Sequence, residues 1–500
     1  MASTEPGSTR IESKRETDSI VSRFNTTSRD VFRPHRFKAI LTAMTDRAPR
    51  HERISWALYD FANTVFSMNM MTLFFVAWIV EDFKRSNTLF ATVNGIASIM
   101  VVISIPFFGA ISDATQRRKP WVVAFTIISC AATVLVAAIG QHSLPLVGEG
   151  VVGTNSVPPL SSSLTMPLVI VLIAFIVANY TYQGAQPFYN AMLPDLVPQN
   201  EQGRLSGLAA SFGYVGAIVA VLVAFPFFQG SLPLIGSVPP AILGALRSLP
   251  YAGVGGRVST FVPTAVLFLG FSLPLFFFCR DHHATRDKKT IPWRKAFQDL
   301  KGTLAETKRY PGSLRFILTS FIYQDAMGTI VTSMALYAIF AMDFEKGAEA
   351  NVFLIMTLPA VIGSYLIGKL VDRIGAKKTL SLVLLCWVIL LSAMIAIPSR
   401  AAFWLIGLLI GFIYGGVSTA ERPLLLTLIP AEEAGRFFSL MVLSSRAAAI
   451  AGPLIFAVTV DSLLPGAGAH AAYRAGVATI AVAMLIALLM LQKVPDKRRA

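Results

Sequence analysis

Charged residues are scarce in this 500-residue chain: Asp, Glu, Lys and Arg make up 14% of it, against 54% hydrophobic residues. A soluble domain usually carries about 25% charged residues, so a water-soluble fold could not hide the apolar excess. Cysteine is scarcer still, with only Cys130, Cys279 and Cys386. An odd number without metal-like spacing excludes a disulfide framework or a zinc cluster as the organising device. All three fall in apolar stretches, where small packing residues are expected. The six histidines are read outside those stretches, which argues against an intramembrane His relay or a metal site. A phosphate-loop look-alike, Gly363-x-x-x-x-Gly368-Lys369, has Leu370 where Ser or Thr is required. No hydrolase triad or other nucleotide motif accompanies it, so no enzyme activity and no cofactor are expected.

What remains is a series of long apolar runs. Stretches of about 20 residues, the length that carries a helix across a hydrocarbon slab, recur from Ile54 to Gln492. Twelve spans are read, the first over 54–81 and the last two over 437–460 and 470–492. The runs lack the alternation of barrel strands, and in lipid every backbone group must be satisfied internally, so an all-α polytopic membrane protein is expected. A formal charge of +15 could suggest nucleic acid, but its distribution argues otherwise. Lys and Arg cluster before Ile54, at Arg117–Lys119, between Arg280 and Arg315, at Lys369–Lys378 and after Leu491. With an even number of spans these segments share one side, which is the positive-inside signature of cytoplasmic termini in a cell membrane. The expected partners are the bilayer and a small-molecule substrate, with protons as a candidate coupling ion and the chain a monomer.

Two signatures recur in the two halves of the chain. Gly109-x-x-x-Asp113-x-x-x-Arg117-Arg118-Lys119 is echoed by Gly368-x-x-x-Asp372-Arg373-x-Gly375-x-Lys377-Lys378. Pro198-x-x-Glu201-x-Gly203-Arg204 is echoed by Pro430-x-x-Glu433-x-Gly435-Arg436. Two parallel six-helix repeats are therefore expected. The expected division is a mostly disordered cytoplasmic tail over 1–53, a bundle over 54–280, a cytoplasmic linker over 281–312, a second bundle over 313–492 and a tail over 493–500. The first signature resembles the loop between the second and third helices of each half in the major facilitator superfamily. Its glycine would permit close helix approach and its Asp would meet a neighbouring cation or helix N-terminus, a latch that breaks when the halves rock. The latch residues are Gly109, Asp113, Arg117 and Arg118, and Gly368, Asp372, Arg373 and Lys377. The plainer reading is a solvated charge run that sets topology. The N-terminal copy departs from the pattern at Ala114 and Gln116.

Further segments are similar to the vacuole-effluxer-like branch of that superfamily. They include Trp56-Ala57-Leu58-Tyr59-Asp60-Phe61-Ala62-Asn63-Thr64, Phe188-Tyr189-Asn190-Ala191-Met192-Leu193-Pro194-Asp195 and Gly203-Arg204-Leu205-Ser206-Gly207-Leu208. In the second half, Glu421-Arg422-Pro423 and Phe437-Phe438-Ser439-Leu440 belong to the same pattern, with Arg446 where the branch's Lys is expected. The resemblance implies a secondary transporter, with amino acids as the leading substrate class and export as the direction. A lipid or lysolipid flippase and a non-transporting membrane sensor are the alternatives.

In such a fold the first, fourth, seventh and tenth spans surround the cavity, and intramembrane polar residues concentrate there. Asn179, Gln183, Gln186 and Asn190 follow one helical face. They are expected to line the cavity, although helix-to-helix hydrogen bonding would produce the same stripe. Tyr59, Asn63, Gln324, Tyr414, Ser418, Arg422 and Arg446 complete the substrate-binding candidates. Asp60, Asp325 and Glu421 are the candidates for proton coupling. A charge near the bilayer centre costs about 2.5–3.5 kcal/mol on insertion scales, so each of these ionisable groups should meet water or a partner.

Overall fold

The structure is a computed structural model that describes residues 48–83, 85, 87–115, 117–148, 165–233, 235–281, 310, 312–342, 349–397, 399–448 and 451–496. The chain divides into two compact units after Ala48, and the helical unit runs from Pro49 onward. The expected tail over 1–53 falls outside the described residues up to position 47, as does most of the 281–312 linker.

The unit is built of helices. They are α1 (Arg50–Phe66), α2 (Asn87–Thr115), α3 (Lys119–Gly148), α4 (Met166–Ala191), α5 (Gln202–Gln229) and α6 (Phe261–Phe278). They continue with α7 (Ser313–Met342), α8 (Glu349–Ile374), α9 (Ala376–Ala396), α10 (Arg400–Leu428), α11 (Ala434–Ala448) and α12 (Ala451–Gln492). The strands among the described residues are one short hairpin, Ser231–Leu232 against Gly236–Ser237, between α5 and α6. Apolar side chains such as Ile99, Ile173, Leu405 and Leu489 are exposed around the outside, as expected where lipid replaces water. Nine helical stretches among the described residues are long and apolar enough to cross a membrane. Twelve spans were expected, and α2, α7 and α11 do not meet that measure over their described parts.

The last two expected spans, 437–460 and 470–492, fall on α11 and α12. Over the expected span 437–460, α11 is described to Ala448 and α12 from Ala451, and residues 449–450 lie outside the described residues. The 42-residue α12 has about twice the length needed for one crossing. Non-helical backbone at Gly468, with φ 77° and ψ 167°, divides it close to the expected gap before residue 470. The placement of histidine also changes: His142 lies within α3 and His470 within α12, each with a ring nitrogen against a backbone carbonyl. No metal-binding group of three or more His, Cys, Asp or Glu occurs among the described residues.

The second repeated signature has the same local form in both copies. Pro198 and Pro430 precede single 3-10 turns, Gln199–Glu201 and Ala431–Glu433, which lead into α5 and α11. Proline fixes φ and offers no N–H, which suits a helix entry. Early helices pack on one another through α1–α5, α1–α6 and α3–α4, and later ones through α7–α12, α8–α10 and α9–α10. The two sets meet along α5–α8, α5–α10, α2–α11 and α4–α11.

The α5–α8 crossing depends on glycine. A Cβ on Gly207 would lie 2.5 Å from the Ser364 carbonyl oxygen and 2.9 Å from Gly368 Cα, and one on Gly368 would lie 2.5 Å from the Gly203 carbonyl oxygen. Backbone thus meets backbone, and no side chain can give way. Gly368→Val is expected to destabilise the protein by about 1–3 kcal/mol through overpacking. Gly270→Ala, with open space around its Cβ, should be neutral or stabilising by up to about 1 kcal/mol. Thermal melting of the two purified variants checks both.

Candidate functional site

A cavity of about 490 Å³ lies among α1, α5, α7, α8, α9 and α10, with Gln186 of α4 at its edge. That volume is within the range of small-molecule pockets, roughly 300–1,000 Å³. One pole is polar, formed by Asp60, Asn63, Gln186, Tyr414, Ser418 and Arg422. The walls beyond are mainly apolar, with Met334, Met356, Met394, Ile330 and Trp387 among them. Thioethers adapt to ligand shape better than branched side chains do.

Local structure explains how α1 reaches the cavity. Asp60, Asn63, Thr64, Ser67 and Met68 follow the three- and four-residue steps of one helical face. At Ser67 the helix widens into a π-helical stretch, Ser67–Leu73, which carries the face on to Thr72. π-bulges of this kind recur at functional sites because they re-aim side chains within a helix. Asn69, on the other side, is turned into the bundle and donates to Thr264 Oγ1 at 2.8 Å.

The polar pole is organised by one ion pair. Arg422 Nη1 donates to Asp60 Oδ2 at 2.9 Å and Nη2 to Oδ1 at 3.3 Å, a two-pronged contact between α10 and α1. The guanidinium carbon lies 5.8 Å from the Trp56 ring and 5.5 Å from the Tyr189 ring. Those two rings stack at 4.6 Å, and the Trp56 Nε1–H donates to the Tyr189 carbonyl. An aromatic wall therefore backs the cation, and the planar fork suits a carboxylate.

The remaining predicted residues divide. Asn63, Gln186, Tyr414, Ser418, Arg422 and Asp60 line the cavity. Asn179 and Gln183 do not: Gln183 donates to Asn179 Oδ1 at 2.7 Å and Asn179 to Asn94 at 2.8 Å. Asn179 and Gln183, half of the amide stripe, thus form a hydrogen-bonded seam, as amides buried away from the cavity are usually paired. Asn190 also lies outside the lining. Tyr59 is fully buried with its hydroxyl 2.8 Å from Thr126 Oγ1, tying α1 to α3.

Glu421 faces away from its neighbour Arg422. Its two oxygens accept from Tyr323 at 2.9 Å and Gln324 at 2.8 Å, which accounts for Gln324 without the cavity. Asp325 accepts the Gly452 backbone N–H at 2.8 Å, a contact between α7 and α12. The side chain of Arg446 lies outside the described residues.

Residues absent from the sequence prediction include Thr64, Ser67, Thr72, Tyr214 and Trp387. The first two were accessible by extending the Asp60–Asn63 face one further turn. Nothing in the sequence singles out Trp387 of α9, which meets Tyr414 edge-on at 6.1 Å between ring centroids.

The latch residues surround the end of the bundle below the polar pole. Asp372 accepts from the Gly203 N–H at 2.9 Å and the Arg204 N–H at 3.0 Å, beside the Gly207–Gly368 crossing. Arg118, 1% exposed, donates to the Ala191 carbonyl, to Asp195 at 2.7 Å and to the Ala431 carbonyl at 3.1 Å. It therefore reaches from α3 to the α10–α11 connection. Lys377 donates to the Gln492 carbonyl at 3.0 Å, while Arg117 and Arg373 are exposed. The Asp113 side chain and what surrounds Gly109 lie outside the described residues. Asp281 accepts the Arg118 and Lys119 backbone N–H groups that open α3.

Multiple apolar crossings, a two-poled cavity walled by early and late helices and a tightly closed end define a multi-pass membrane transporter of the major facilitator type. Residues 76–499 match the family described as vacuole effluxer Atg22 like, and the chain belongs to that family. It is similar to an uncharacterized MFS-type transporter, YxiO, of Bacillus subtilis, with 22% identity covering 89% of this chain and 94% of that protein. It is also similar to the multidrug resistance protein MdtG of Proteus mirabilis, 29% identical over 59% of this chain and 69% of the relative. Among solved structures, the human organic anion transporter MFSD10 aligns with a TM-score of 0.62 at 15% identity, covering 89% of this chain and 100% of that one. A bacterial homologue of the iron transporter ferroportin in an outward-facing state aligns at 0.60 and 18%, covering 89% and 99%. At such identities these two likenesses concern fold.

Tyr323→Phe is expected to cost about 1–3 kcal/mol, the penalty for leaving a buried polar atom short of its partner. Because Tyr323 is not part of the cavity wall, ligand affinity should stay at the wild-type value. Melting curves with and without ligand separate the two effects.

Proposed function

We propose that the protein is a secondary active transporter working by alternating access, which exports a small amphipathic metabolite, with amino acids bearing apolar side chains as the leading class. The observation that carries this reading is the cavity itself: an Asp60–Arg422 polar pole facing Met- and aromatic-lined walls contributed by both early and late helices. Such a cavity offers a charged group its partner and an apolar body its solvent. Export as the direction rests on the family analogy.

The proposal includes two six-helix bundles, 54–280 and 313–492, joined by the 281–312 linker, with both termini on the cytoplasmic side of a cell membrane. On that assignment the Arg118, Asp372 and Gly207–Gly368 contacts close the cytoplasmic end. The cavity runs the other way, since Thr72, Ala338, Met394 and Gly407 lie near the α1–α2, α7–α8 and α9–α10 connections. This supports an outward-facing arrangement of the proposed cycle. Proton coupling by Asp60, Asp325 or Glu421 is part of the reading, and the position of Asp60 in the cavity lining favours it among the three. The apolar walls also favour a second reading, in which the amphipathic solute is a lysolipid.

Counterflow of radiolabelled leucine in proteoliposomes tests the transport reading, with lysophosphatidylcholine as the competing solute. Asn63→Leu and Gln186→Leu are expected to reduce counterflow by at least about tenfold through lost cavity contacts, whereas Asn179→Leu should act mainly through stability. If neither solute exchanges, the transport proposal fails; if only the lysolipid does, the second reading replaces the first. A pH jump that leaves transport unchanged would remove proton coupling.

A further inference from the structure

Arg422 is the cation among the described cavity-lining residues, and its carboxylate partner is a residue of the same wall. Asp60 and Arg422 are 9% and 14% exposed, so both are largely withdrawn from water. Their contact uses one N–H from each of two guanidinium nitrogens and both carboxylate oxygens. That is also the geometry in which arginine would receive a carboxylate from a ligand. Glu421, adjacent in sequence, is engaged by Tyr323 and Gln324 on α7.

The neighbouring cavity groups add to this arrangement. Gln186 Nε2 and Asn63 Oδ1 are buried lining atoms without a hydrogen-bond partner in the structure. A buried polar atom left unpaired costs free energy, and a polar ligand in this pole would remove that cost. The Trp56 and Tyr189 rings back the cation, at 5.8 and 5.5 Å from the guanidinium carbon.

We infer that Asp60 is a resident competitor at an anion subsite: the carboxylate of an amphipathic ligand takes the place on Arg422 that Asp60 holds in the empty cavity. The inference deepens the transport reading and rests on it only for how the ligand enters and leaves. The geometry has two consequences. Ligands carrying a carboxylate on an apolar body are preferred to their neutral counterparts, because only they can replace the lost ion pair. Their binding also severs a direct polar tie between α1 and α10, so occupancy loosens the wall at the pole nearest the closed end.

Calorimetric titration of the purified full-length protein with 2-naphthoate and with 2-naphthamide, and with 4-phenylbutyrate and its amide, tests the inference. Wild type should bind the carboxylates in preference to the amides. Asp60→Asn, which removes the competitor and keeps the volume, should bind the carboxylates about tenfold more tightly. Arg422→Gln should lose the preference for carboxylates, and amide binding should be equal in all three proteins. If Asp60→Asn does not fold, Asp60→Ser and the conservative Asp60→Glu replace it, the latter expected to behave as wild type. Carboxylates bound no better than amides by wild type, or bound no better after Asp60 is neutralised, would overturn the inference. The titration reads binding alone, so failed counterflow would sink the transport reading and leave this result standing.

Discussion

A polar group left without a partner in a low-dielectric interior is costly, and that constraint accounts for the contacts of the charged and amide side chains between the helices of this protein described above. Arg422 is held by Asp60, Glu421 by Tyr323 and Gln324, Asn179 by Asn94 and Gln183, and Asp325 by the Gly452 N–H. Apart from Gln183–Asn179 within α4, these pairings join different helices, so the same contacts that neutralise polarity also set how the helices sit. In the cavity, the matching is incomplete at Asn63 and Gln186, whose Oδ1 and Nε2 have no hydrogen-bond partner.

The closed end obeys the same logic in backbone terms. Gly207 and Gly368 let α5 and α8 approach until main chains touch, and the Asp372 carboxylate then accepts two N–H groups from the entry to α5. Arg118 performs the matching task at the other crossing, where its planar fork satisfies carbonyls from two separate connections. Close approach and polar satisfaction depend on one another here. Without the glycines Asp372 would be held away from those amides, and without Asp372 the amides would lose their acceptor.

Much of this was legible in the sequence. Apolar run lengths indicated an all-helical membrane fold, and the doubled Pro-x-x-Glu-x-Gly-Arg signature corresponds to two 3-10 turns of the same form. Asp60, Asn63, Gln186, Tyr414, Ser418 and Arg422 were identifiable because intramembrane polarity needs a reason, and they do line the cavity. Asn179, Gln183 and Tyr59 met the same criterion for a different reason, since a hydrogen-bonded seam and a cavity wall both appear as polar positions on one helical face. Run length also placed a gap between residues 460 and 470, and the backbone leaves helical geometry there, at Gly468 within α12.

The sequence by itself determined that the chain crosses a membrane in helices, that its halves are related and which side chains would need partners, because those properties depend on composition and spacing along one strand of chain. Only the tertiary structure decided which partner each one found. Asp60 and Arg422 are separated by most of the protein's length, and nothing in their local sequence distinguishes that match from Arg422 with Glu421. The choice was made by helix packing, which brings α1 and α10 together at one height and turns Glu421 toward α7.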